Sequence, residues 1–67
     1  MQNDMTPQTI RARAYAARVT LNKLLGKAGV ANSTFWRWER GDTGDIHPVT
    51  LARIDDALRE FEQGNVA

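Results

Sequence analysis

Apolar residues along this chain recur at helical spacing in four stretches, and no stretch alternates at the two-residue period of a strand. Ile10, Ala14 and Ala17 repeat at four and three residues, a narrow stripe that predicts a first helix ending near Ala17. Thr6 is placed to cap it, with Pro7 in the first helical position, where a missing N–H costs nothing. Thr20 is the natural cap of a second helix, Leu21 to Ala28, whose Leu24 and Ala28 share one face. Lys23 stands where a glutamate would complete a capping box, so this cap is of the simpler kind. Phe35 and Trp38, three apart, predict a third helix from about Ser33 to Arg40, with Asn32 a better capping residue than Ala31. Leu51, Ile54, Leu58 and Phe61 recur at three, four and three, one continuous face on a last helix that starts near Pro48 with His47 as its cap.

The connections are equally readable. Gly29-Val30-Ala31 is a three-residue turn in which glycine permits a left-handed step and Val30 is placed to drop into the crease between two helices. Gly41 to Asp45 contains two glycines, two aspartates and no apolar residue, which predicts a loop. Gly64 is expected to end the ordered chain. The expectation is a compact all-α domain of four helices, or five, spanning residues 6–62, between a flexible N-terminus (1–5) and a frayed tail (63–67). Phe35 and Trp38 belong to its core.

The period that buries Phe35 and Trp38 turns Asn32, Ser33, Trp36, Arg37 and Arg40 outward. A short helix offering amide, hydroxyl and guanidinium groups to solvent has the chemistry to read base edges in a major groove, and eight residues give roughly 12 Å of helix, about the groove's width. Arg37 is the strongest base-reading candidate, since a guanidinium binds guanine O6 and N7 in bidentate fashion; the alternative is a phosphate contact, which adds affinity without specificity. Asn32 either reads adenine or caps its helix. Trp36 lies against a sugar or a thymine methyl, folds back over a neighbouring helix, or packs on a second subunit. Glu39 faces away from this surface and is expected to pair with Arg11 or Arg13. Asp55 and Asp56 fall off the apolar face of the last helix and are expected on its solvent side, with no pocket between them.

Lys27-Ala28-Gly29-Val30 at the turn, Ser33-Thr34 early in the third helix and Glu39-Arg40-Gly41 at its end, followed by Pro48-Val49-Thr50-Leu51-Ala52-Arg53-Ile54 with Ala57-Leu58, resemble the lambda-repressor-like helix-turn-helix family, also called the Cro/repressor or xenobiotic-response-element family. The resemblance covers roughly Ile10 to Leu58. It implies a helix-turn-helix between Thr20 and Gly41, base reading by Asn32, Ser33, Trp36 and Arg37, and phosphate contacts from Thr20, Asn22, Lys23, Lys27, Thr34 and Arg40. Five positions depart from the family pattern. Leu21 replaces a common glutamine, Leu25 a common alanine, Arg18 a glycine that often ends the first helix, and Asp42 and Asp45 the basic residues of the following loop.

A formal net charge of +1 hides a strong polarity. Residues 1–40 carry seven cations against two anions, a net +5, and residues 41–67 carry two against six, a net −4. A basic half that contains the outward helix suits a phosphate backbone, and an acidic remainder restrains nonspecific adhesion. The chain has no cysteine, which excludes disulfides, thiolate metal sites and thiol nucleophiles. His47, the one histidine, has no spaced carboxylates around it, so no metal or other cofactor is expected. No serine–histidine–acid order or phosphate loop is present, and catalysis is not expected. No apolar run approaches the ~20 residues of a membrane span, and Met1-Gln2-Asn3-Asp4 does not have the character of a signal peptide, so a cytoplasmic location is expected, in a bacterium or a phage-infected host.

Sixty-seven residues leave room for one small domain, burying only about 60% of the unfolded surface. The expected function is sequence-specific binding of double-stranded DNA by a phage- or bacterial-type transcriptional regulator, a repressor or Cro-like protein. One short reading helix touches few base pairs, so a near-palindromic operator and a weak homodimer formed mainly on DNA are expected, with Phe61 and Val66 as spare apolar residues for association. No small-molecule ligand is implied. The alternative from a different class is a protein-interaction module on the same scaffold, an antitoxin or anti-repressor subunit that grips a partner with Trp36 and the last helix.

Overall fold

The computed structural model describes residues 5–42, 44 and 46–64, which form four helices and no strand: α1 (Pro7–Ala16), α2 (Leu21–Ala28), α3 (Asn32–Arg40) and α4 (Pro48–Gly64). Thr6 caps α1, its hydroxyl accepting the Thr9 N–H at 3.1 Å, and Thr20 caps α2 by accepting from Lys23 N–H at the same distance. The His47 Nδ1 accepts the Val49 N–H at 3.1 Å, a cap at the start of α4.

The start of α3 differs from the sequence expectation. Ala31 is the capping position and contributes no side-chain bond, while Asn32 is already helical and unable to cap. The preceding turn sets this register. Gly29 sits at φ 74°, its N–H bonds to the Gly26 carbonyl, and the Val30 N–H reaches back to the Leu25 carbonyl at 2.9 Å. That six-to-one closure leaves the chain extended at Ala31 (φ −68°, ψ 143°), one residue earlier than capping preference alone predicts.

The same closure ends α1 and α3. Val19 N–H bonds to Ala14 carbonyl at 2.9 Å, and Asp42 N–H to Arg37 carbonyl at 2.9 Å. Each closure needs one left-handed residue. It is glycine at 29 and at 41 (φ 85°), but arginine at 18 (φ 61°). For a residue with a β-carbon this conformation costs roughly 1–2 kcal/mol, so Arg18 occupies a position where glycine is the less strained choice.

One core joins all four helices: Ile10 and Ala14 from α1, Leu24, Leu25 and Ala28 from α2, Phe35 from α3, and Ile54, Ala57 and Leu58 from α4. α4 packs chiefly on α2, and α1 touches both α2 and α3. Alanines at 14, 28 and 57 supply little volume, which lets the helices approach and accommodates Leu25, only 1% exposed. The radius of gyration, 11.4 Å, is close to the ~10.9 Å expected for a compact chain of this length.

Several expectations need amendment. Phe35 is fully buried, but Trp38 lies at the core's edge and remains partly exposed. Ile46, in the segment before α4, joins the core at 9% exposure. Phe61, read as spare, is half-buried against the core. α4 continues through Gln63 and Gly64, past the expected boundary at residue 62. Met5 packs against the core, so it does not belong to a free N-terminus. The rest of the expected flexible start (1–4), Asp45, and Asn65 to Ala67, including Val66, lie outside the described residues.

Candidate nucleic-acid interface

α3 divides cleanly around its circumference. Phe35 is 0% exposed, whereas Asn32, Ser33, Thr34, Trp36, Arg37 and Arg40 are all exposed, Trp36 at 55%. Ser33, Trp36, Arg37 and Arg40 fall at i, i+3, i+4 and i+7, a single stripe opposite Phe35. Nine residues give about 13.5 Å of helix, enough to lie across a groove ~12 Å wide.

Burial of Phe35 creates this division, and Arg11 of α1 reaches across to the same side of α3. Its guanidinium lies 5.6 Å from the centroid of the Phe35 ring and forms a two-pronged pair with Glu39, one contact at 2.9 Å. Phe35 and Glu39 are four apart, hence on one side of the helix. A planar fork that grips both ring and carboxylate leaves α3 little freedom to roll. The hydrogen bond to Arg11 holds the Glu39 carboxyl below its ordinary pKa, and the same bond raises the guanidinium; partial burial opposes both shifts. Of the two arginines expected to pair with Glu39, Arg11 does so.

Arg13 performs a different task. It donates to Glu62 through Nε and Nη2, both at 2.9 Å, and to Asp55 at 3.0 Å, tying α1 to α4. The bond with Glu62 raises the Arg13 guanidinium and lowers the Glu62 carboxyl. Asp55, expected on a solvent face, is half-buried and also accepts from Arg59 at 3.2 Å. Asp56 remains exposed. The Arg13 pairs join residues 42 and 49 positions apart, a separation that no local pattern announces.

The expected phosphate contacts do not share one surface. Thr20, Asn22 and Lys23 are exposed in the first turn of α2 or just before it. The Asn32 side-chain nitrogen donates to the Asn22 side-chain oxygen at 2.7 Å, joining the start of α3 to α2. Asn32 is therefore tethered sideways rather than folded over its own helix end. Each amide keeps further groups unused by this bond, the NH2 of Asn22 among them. Lys23 and Lys27, four apart, share one side of α2, about 100° and 140° around from Asn22, and Lys27 is the one already engaged there, its ammonium 3.0 Å from Glu60 and 5.8 Å from the Phe61 ring centroid. Arg40 makes only a loose, exposed contact with Asp42 at 3.7 Å, whereas Arg18, Lys23, Arg37 and Arg53 have no ion-pair partner among the described residues.

Trp36 does not belong to the core and stands among exposed neighbours. Trp36→Ala is expected to change folding stability by no more than about 0.5 kcal/mol, the usual range for a surface position. Thermal unfolding by circular dichroism measures this directly. A large fall in midpoint would mean that the indole packs on the fold. Comparison of the chain with family models, curated proteins and solved structures returns no match.

Proposed function

We propose that this protein is a sequence-specific, double-stranded DNA-binding regulator of the lambda-repressor-like helix-turn-helix type, with α2 and α3 as the two helices of the motif and α3 as the element that enters the major groove. The observation that carries this reading is the open stripe of α3. Ser33, Trp36, Arg37 and Arg40 are exposed together, Arg37 has no ion-pair partner among the described residues, and the opposite side of the same helix is locked to α1. Arg37 and Ser33 would face base edges, with Asn32 beside them, steadied by Asn22. Thr20, Lys23, Thr34 and Arg40 would meet the backbone on either side. Lys27 takes a smaller part, because Glu60 already neutralises it.

One helix of nine residues reads too few base pairs to specify a genomic site, so two protomers acting on a near-palindrome, with half-sites about 34 Å apart, complete the proposal. Selection from random duplexes, followed by titration of the enriched site at several salt concentrations, tests it. Lys23 and Arg40 of two protomers neutralise about four phosphates, so affinity should fall roughly 150-fold between 50 and 200 mM salt on a two-to-one complex. With Lys23→Ala the fall should shrink to about 12-fold, equally on every duplex. Absence of any enriched sequence, or affinity indifferent to salt, would favour the protein-interaction reading instead.

A further inference from the structure

We propose that the open stripe of α3 also binds an unpaired polynucleotide strand, with Trp36 as a platform on which one base stacks. This goes beyond the duplex reading and does not depend on it, because it uses the face of the indole rather than the edges of paired bases.

Trp36 is the member of the stripe that groove reading leaves without a task. An indole has one hydrogen-bond donor and no acceptor, so it distinguishes few of the patterns that base pairs present in a groove. Its main resource is area, since a large aromatic side chain buries about 150–250 Å². In a duplex the matching base faces are hidden by stacking, and only the edges are open. In an unpaired strand those faces are available, and any base supplies one.

The surroundings of the ring fit such a strand. Trp36 is 55% exposed and lies outside the core. Among the described residues, cations cover the rings of Phe35 and Phe61 and none covers Trp36, while the aromatic pairing of α3 joins Phe35 to Trp38. The indole face is therefore open. Asn32 and Ser33 stand one helical turn before it, and Glu39 and Arg40 one turn after. Glu39 is the acidic member of this set, and Arg11 neutralises it. Arg40 is exposed and only loosely bound to Asp42, and Arg37 has no ion-pair partner among the described residues. An open aromatic face beside unspent cations is the combination that single-strand binding uses, stacking for the base and guanidinium groups for the backbone.

Full-length protein is titrated with labelled strands of deoxythymidine and of uridine, about twelve nucleotides long, with an abasic strand of equal length, and with the selected duplex. The wild-type chain should bind a base-bearing strand, and the tighter of the two shows whether DNA or RNA is preferred. The abasic strand keeps the phosphates and lacks the faces, so it should bind more weakly by about 5-fold or more. Trp36→Ala and Trp36→Leu should lose about 5- to 150-fold on the base-bearing strand. Trp36→Phe should recover most of that loss, because phenylalanine restores a ring face and leucine restores only apolar bulk. With Arg37 and Arg40 meeting about two phosphates, affinity should fall about 7-fold between 50 and 200 mM salt. Binding that Trp36→Ala leaves unchanged, or an abasic strand held as tightly as the thymidine strand, overturns the platform and leaves charge alone. Absence of binding to either base-bearing strand, with the selected duplex still bound, overturns this inference and leaves the duplex reading intact. Trp36-dependent strand binding by a chain that selects no duplex upholds the platform and removes the duplex reading.

Discussion

Phe35→Ala is expected to leave the chain largely unfolded. The ring is wholly buried, meets Trp38 edge-on with centroids 5.7 Å apart and planes at 84°, and lies beneath the Arg11 guanidinium. Truncating a buried phenylalanine costs about 3–5 kcal/mol, because the transfer energy is lost and a cavity remains. A domain of 67 residues has roughly 3–10 kcal/mol in total. The change also strips Arg11 of one of its two holds on α3. Trp38→Ala should cost less, since the indole is only partly buried at the edge formed with Met5, Pro7, Ile46 and Leu51. Urea titration of both variants, read by circular dichroism, ranks them. A Trp38 variant less stable than the Phe35 variant would contradict the burial described here.

The second large effect concerns recognition. Arg37→Ala should lose about 1–3 kcal/mol on the selected duplex, or roughly 5- to 150-fold in affinity, and relax the preference at one base pair. Arg37 sits mid-stripe on α3 and is exposed, so truncating its side chain leaves no cavity and no buried partner. Stability should therefore be unchanged while binding falls. Titration against the selected site and its single-base-pair variants distinguishes two roles. Equal weakening on every duplex would make Arg37 a phosphate contact and refute its assignment as a base reader.

Local physics carried most of the fold from sequence to structure. The bounds of α2 match the residues between its threonine cap and its glycine turn, and the pattern of Leu51, Ile54, Leu58 and Phe61 marks the inner face of α4. These features depend on neighbours within four residues. The misses have longer reach. Asn32 has the better intrinsic capping chemistry, worth about 1 kcal/mol, but the backbone closure from Val30 to Leu25 sets the register first. Ile46 is one apolar residue in a polar segment, and a single residue has no period to read. Phe35 and Trp38 share a helical face, yet only packing against α1 decides that the first is enclosed and the second is at the rim.

The candidate site was legible in the same uneven way. The outward set on α3 follows from phase alone, and each of its members is exposed. The bond between Asn22 and Asn32 was not readable, because it depends on how the turn folds α3 beside α2. Lys27 shows the limit of assigning roles by charge. In the sequence it is one more cation near the turn; in three dimensions it belongs to Glu60 and Phe61 of α4. Arg18 was visible as an oddity at a helix end, but its place in the lining of two surface grooves required the corner between α1 and α2.

The two sides of α3 bear on how such a protein changes over generations. Phe35, Trp38 and Glu39 hold the helix in place, and Ser33, Trp36 and Arg37 lie exposed on its other side. Substitutions on the open side therefore face no threshold of foldedness, even in a domain with only a few kcal/mol to spare. A lineage can step through successive side chains there, each intermediate still folded, and arrive at a different partner without ever rebuilding its interior.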